Sequence, residues 1–158
     1  MKTILKIIFL CGVIVFTAFS CEKDEENVEA GDFEPIEVKK ITDFGCDDCS
    51  IVLKPEYVNN GYYMIYSEND FNKYVKYVTG ENIPSIDFEK YFLIIGVKQF
   101  TSGTEILEEK AEENNIEIIY YVTFLTYDST VALGVGYHAF LEKPVKEKTV
   151  LVEEIIKP

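Results

Sequence analysis

From residue 36 onward the chain breaks into short apolar runs separated by turn-forming residues, a spacing that suits strands better than helices. Ile36 to Thr42 reads as a first strand, with Ile36 and Val38 in phase and Ile41 out of it. Asn59-Asn60-Gly61 carries a hairpin-turn signature between the run Ile51 to Leu53 and the run Tyr62 to Tyr66. Pro55 places the first of these two strands at an edge. Ser67 then caps a helix, with Asp70 set to reach back to it. Phe71, Tyr74, Val75 and Val78 form one apolar stripe at helical spacing, Gly80 ends the helix and Pro84 prevents its resumption.

Beyond that point the pattern is β. Phe92 to Val97 is a continuous apolar run, expected of a central strand buried on both faces. Thr101-Ser102-Gly103 turns the chain. Glu105 to Glu112 has helix-forming composition, yet Asn114-Asn115 looks like a tight turn into the obvious strand Ile116 to Thr126, so it is read as that strand's hairpin partner. Asp128-Ser129 turns again into Thr130 to Leu141, Pro144 to Lys148 is a loop, and Thr149 to Ile156 is the last strand. The sum is an α+β fold, mostly antiparallel β-sheet in a sandwich or partly open barrel of six to seven strands, with one early helix.

The first twenty residues follow a different rule. They hold Lys2 and Lys6, no acid, and an apolar run from Ile7 to Ala18, the build of a secretory signal peptide. Small Ser20 directly before Cys21 resembles the lipobox of bacterial lipoproteins, in which the cysteine is acylated and becomes the new N-terminus. Ala18 stands where a leucine is usual, and Phe19 is bulky. An uncleaved membrane anchor is the competing reading, since the run is nearly long enough to span. Glu22-Lys23-Asp24-Glu25-Glu26 then begins an acidic tether. Its order also resembles the export signal that sends some lipoproteins to the outer face of the outer membrane. The expected organisation is a leader over 1–20, a tether over 21–35 and one globular domain over 36–158. Stable attachment to the bilayer through Cys21 needs more than one acyl chain.

Composition narrows the partners. The chain has 158 residues, 47% of them hydrophobic, and 15 basic against 28 acidic side chains, for a net charge of −13. Loss of the leader removes two lysines and no acid, so the mature domain is more negative still. Such a charge argues against nucleic acid, whose binding draws on counterion release by basic side chains. The chain has no arginine, and hence no bidentate fork for phosphate or carboxylate.

Of the four cysteines, Cys11 belongs to the leader and Cys21 to the lipid, which leaves Cys46-Asp47-Asp48-Cys49. In an oxidising compartment a local disulfide between Cys46 and Cys49 is the plain reading, pinning a turn. A redox centre needs a stabilised thiolate, and two intervening aspartates act the other way. A structural zinc site wants about four N or S ligands, whereas the mature chain offers two thiols and His138. No metal and no cofactor are expected.

Catalytic motifs are missing from the sequence: there is no nucleophile elbow, zinc-protease motif, phosphate loop or dinucleotide fingerprint. His138, the single histidine, lies mid-strand, where a structural role outweighs a place in a Ser-His-Asp arrangement. Glu108-Glu109 and Glu112-Glu113 read as a solvated hairpin tip in preference to a calcium site. Tyrosines crowd the strands. Neighbours in a strand point to opposite faces, so pairs such as Tyr120-Tyr121 offer one ring to solvent. Tyr120, Tyr121, Tyr137 and His138 are therefore the candidate protein-contact surface.

The order of elements resembles a known family. The helix begun by Ser67-Glu68-Asn69-Asp70-Phe71 is followed by Ile86-Asp87-Phe88-Glu89-Lys90-Tyr91 leading into a buried strand. Then come the turn Thr101-Ser102-Gly103, a hairpin, and Ala132-Leu133 shortly before Tyr137-His138. Over residues 61 to 156 this resembles the C-terminal-like domain of the protease-complex lipoprotein PrcB. The family's Thr-Gly-Gly-Tyr turn is Thr101-Ser102-Gly103-Thr104 here, and Gly136 stands in place of a proline. The resemblance implies a non-catalytic subunit that stabilises a surface protease. The expectation is thus a non-enzymatic, lipid-anchored protein of the outer membrane, facing outward and bound to another envelope protein. The alternatives are a thiol oxidoreductase at Cys46 and Cys49, a hydrolase using His138, and a peptidase inhibitor acting through loops.

Overall fold

The structure is a computed structural model, and it describes residues 30–59, 61–79, 84–128 and 133–158. The leader, Cys21, most of the tether, Asn60, Gly80 and the turn at Ser129 lie outside the described residues. The strands are β1 (Glu34–Ile36), β2 (Ser50–Leu53), β3 (Gly61–Ile65), β4 (Val75–Thr79), β5 (Tyr91–Phe100), β6 (Gly103–Glu113), β7 (Glu117–Tyr127), β8 (Leu133–Glu142) and β9 (Thr149–Lys157). One α-helix, α1 (Glu68–Tyr74), and two short 3-10 turns complete the described elements. No helix among the described residues is long and apolar enough to cross a membrane.

The strands form three sheets, ordered β1-β6-β7-β9, β3-β5-β8 and β2-β4. The three-stranded sheet is the middle layer. Phe92 and Ile94 of β5, with Tyr137, Ala139 and Leu141 of β8, pack against Ile118, Tyr120, Val122 and Phe124 of β7. The opposite face presents Leu93, Ile95, Val97 and Phe140 to β2, β4, α1 and the Cys46–Cys49 turn. Alternate residues of β5 therefore serve two cores, which is why its sequence is a continuous apolar run. All ladders among the described residues are antiparallel except one: β9 runs parallel to β7. Parallel neighbours need a crossover, and β8 supplies it from the facing sheet. The architecture is α+β with mostly antiparallel sheet and no closed barrel.

Several local expectations are corrected. Nine strands are described, more than the six to seven expected. The first strand covers only Glu34–Ile36; the chain then makes a bridge from Lys39 to Phe140 and a 3-10 turn at Ile41–Phe44. The expected hairpin between Ile51–Leu53 and Tyr62–Tyr66 does not form, because β2 pairs with β4 and β3 with β5. A 3-10 turn at Pro55–Tyr57 separates them.

The helix starts as expected, with the Ser67 hydroxyl accepting from the Asp70 N–H at 3.1 Å. It stops at Tyr74 instead of running past Val78. Val75-Lys76-Tyr77-Val78-Thr79 is β-branched or aromatic at four of five positions and pairs with β2. Val75 is buried and Val78 exposed, the alternation of a strand. The reading of 105–113 as a strand hairpinned through Asn114 holds. The Asn114 side-chain oxygen accepts from the N–H groups of Ile116 and Glu117 at 2.9 and 2.8 Å, closing the turn.

Candidate functional site

The residues nominated from sequence are distributed through the fold, not gathered on one face. Tyr120 is wholly buried and Tyr137 is 2% exposed. Their rings meet between the two larger sheets, with centroids 6.2 Å apart. They are core residues, which corrects their nomination as surface. Tyr121 lies on the outer face of its sheet, half-exposed, with Lys110 over its ring. In the pair Tyr120-Tyr121 the alternation thus held, and Tyr121 is the outward member.

The polar tips of the buried tyrosines end on carboxylates. Tyr120 donates to Glu109, and Tyr137 donates to Glu154 at 2.8 Å. Burial first, and these carboxylates second, push both phenols far above their usual range. Glu154 also pairs with Lys98 at 2.7 Å, and Glu109 with Lys40 at 2.6 Å. Glu109 is therefore a structural acceptor between the sheets, which corrects its reading as part of a solvated tip, whereas its neighbour Glu108 is exposed. The acids farther along β6 do pair near the surface: Glu112 with Lys110, and Glu113 with Lys148.

His138 belongs to the same network. Its Nε2 accepts from the Ile41 N–H at 3.4 Å, and its carbonyl accepts from the Lys40 ammonium at 2.5 Å. Burial, then the Lys40 charge, lower its pKa to about 4, with Glu109 pulling weakly the other way. At neutral pH it is an uncharged imidazole whose acceptor nitrogen is already occupied by backbone. That is the chemistry of a positioned strand residue. A general base needs the opposite arrangement, a free acceptor beside an acidic proton.

Cys46 and Cys49 are bonded to each other and buried in the second core. Asp48 lies close enough to complete a three-donor cluster with them. With both sulfurs committed to the disulfide, the set lacks the thiolates that a soft metal requires.

The structure adds a site that was not nominated. A groove of about 770 Å³ opens where β2 lies across one half of the central sheet. Its floor is Ile95 and Val97 of β5 with Gly134, Gly136 and His138 of β8. Its wall is the whole of β2, from Ser50 to Leu53, continued by Pro55 and Val58. Lys76 of β4 stands at the rim, exposed. Among the described residues no acid lines this groove and Lys76 is its one fully charged group, in a chain with nearly two acids per base. The volume is that of a ligand site, and the lining has the usual mix of apolar surface with a few polar groups.

Its two β8 glycines differ: Gly134 makes room for neighbouring side chains, and Gly136 leaves the groove open. A Cβ at Gly134 would approach the Gln99 amide at 3.0 Å and Val97 at 3.2 Å. At Gly136 the nearest atom to a Cβ is the Gly96 carbonyl at 3.8 Å, an ordinary contact with space beyond. The sequence signal that could have pointed here is Gly134-Val135-Gly136, two glycines inside a strand. Comparison with protein-family models, with curated proteins and with solved structures finds no match to this chain.

Proposed function

We propose that this chain is a non-enzymatic, lipid-anchored cell-envelope protein that binds and stabilises another envelope protein through the groove between β2 and the β5–β8 face. The observation that carries this reading is the groove itself: recessed, mostly apolar in floor and wall, and without an acid among the described residues that line it, on an acidic molecule. Acylation at Cys21 would hold the domain at the outer membrane by an acidic tether, facing outward. The resemblance of residues 61–156 to PrcB-like domains supports a surface protease complex as the partner. His138 and the cysteines do not favour an enzyme, since the imidazole acceptor and both sulfurs are already engaged.

The test is photo-crosslinking in intact cells from Val52, a half-exposed position on the groove wall. One envelope protein should be captured, and capture should vanish in Gly136→Leu, which fills the groove. Palmitate incorporation that is lost in Cys21→Ala tests the anchor. Crosslinks that persist unchanged in Gly136→Leu would overturn the groove as the contact site, and a Cys21→Ala variant that remains membrane-bound and labelled would overturn the anchor.

A further inference from the structure

We infer that the groove takes an extended apolar segment of a partner protein, bearing an acidic residue, as an added strand on the open edge of β2. The inference rests on the groove being the partner site, and names what enters it.

Three independent features converge. The first is the edge. Among the described residues β2 pairs only with β4, and the groove touches every residue of β2 but only Lys76 of β4, so it runs along the side of β2 away from that partner. On that side alternate residues of β2 present N–H and C=O groups that β4 does not use, beside a largely apolar recess. An acyl chain or other hydrocarbon entering there would strip water from those groups and return no hydrogen bond. A polypeptide returns a ladder, which is how strand-addition domains bind. β1, β3, β4, β8 and β9 also end sheets, but of these only β4 and β8 line the groove, β4 through Lys76 alone. β2 reads Ser-Ile-Val-Leu, with no charge to deter pairing.

The second feature is Gly136. A glycine inside a strand costs about 0.5–1 kcal/mol relative to alanine, so its presence calls for a reason. Gly96 has one, because the Tyr137 ring occupies the space of a Cβ at 2.5 Å. Gly134 has one in Gln99 and Val97. Gly136 has neither a crowding neighbour nor a positive φ, which among the described glycines belongs to Gly45 alone. The bare backbone there serves the groove: it lets another main chain lie close against β8.

The third is charge. Lys76 is exposed at the rim and makes no ion pair with any described residue. With no acid in the lining, a carboxylate on the incoming segment meets attraction only. A basic segment would find its counter-charge elsewhere on the acidic surface, away from the groove.

The experiment uses the intact protein in detergent micelles and a synthetic peptide alternating valine and threonine and ending in glutamate. Hydrogen exchange over residues 50–53 should slow about tenfold on peptide addition, the signature of new backbone hydrogen bonds. Gly136→Leu should weaken binding about tenfold or more, the fold-change of a blocked apolar subsite. Gly136→Ala, which keeps most of the space, should retain binding. Lys76→Glu should reverse the preference from the glutamate-ended peptide to a lysine-ended one. Equal binding of a backbone N-methylated peptide, no change in exchange at 50–53, or displacement by palmitate would overturn strand addition. If any of these occurs while Gly136→Leu still abolishes the cellular crosslink, the groove remains the partner site and only the mode is wrong. If that crosslink is unaffected as well, both readings fail.

Discussion

Gly96 faces Tyr137 across the β5–β8 ladder, and the hydroxyl end of the tyrosine ring occupies the space where a side chain would begin. This close approach lets the phenol reach Glu154 on β9. Gly96→Ala should therefore cost about 2 kcal/mol, from overpacking and a displaced hydrogen bond, while Gly136→Ala should be neutral or slightly stabilising. Urea denaturation of both variants makes the comparison. The sequence shows three similar glycines; only packing separates their roles, since nothing local tells which has a ring above it. Tyr120 and Tyr137 were misplaced for a related reason. Alternation puts one of two neighbours inward, but the choice of face depends on which sheet covers which.

His138 links a single side chain to pH. Its imidazole binds a proton near pH 6.5 when unfolded and only near 4 when folded. Between those values the unfolded state holds more protons, so stability is full above about 6.5 and is lost as pH falls toward 4. The loss reaches about 3 kcal/mol at most. The Lys40 charge adds to the lowering and Glu109 opposes it. His138→Gln keeps an acceptor for the Ile41 N–H without the titration. Its denaturation midpoint should fall less steeply than that of the parent between pH 6.5 and 4. Parallel slopes would show that His138 is not the group responsible.

At the scale of elements, the junction of α1 with β4 shows what a periodicity can and cannot reveal. Phe71, Tyr74, Val75 and Val78 fit a helical stripe, while Val75 and Tyr77 about Lys76 equally fit a strand. The tie is broken by β2, which offers a partner edge with Leu53 opposite Val75. Pairing at a distance in sequence decides a conformation that local composition leaves open, and the same non-local pairing prevents the expected 51–66 hairpin. By contrast, β5 and the β6–β7 hairpin were legible because a continuous apolar run and an Asn-Asn turn are local signals. The Cys46–Cys49 disulfide pins the turn that delivers β2, and closes a very short loop. Replacing both cysteines by alanine should lower stability by about 2 kcal/mol. Exchange protection should fall first in β2 and β4, leaving β5 and β8 protected. Uniform loss across all sheets would show that the turn is integral to the whole core.

For the molecule as a whole, the last strand carries the most consequence. β9 pairs along its entire length with β7, and it brings Val150 and Val152 to the core between the two larger sheets. It also supplies Glu154, the acceptor for Tyr137 and the counter-ion of Lys98. Ending the chain at Lys148 would leave two buried or half-buried polar groups without partners, at about 1–3 kcal/mol each. It would also expose the edge of β7, where Ile118 to Phe124 form a nearly unbroken apolar run. These costs are of the size of the whole stability of a domain. The truncated chain is expected to accumulate as aggregate, whereas an extension after Pro158, at an exposed end, leaves folding intact. Soluble yield and far-ultraviolet circular dichroism of the two chains decide the matter. A soluble, β-rich truncated chain would mean that the β6–β7 hairpin and the central sheet hold together unaided, and that Tyr137 and Lys98 find other partners.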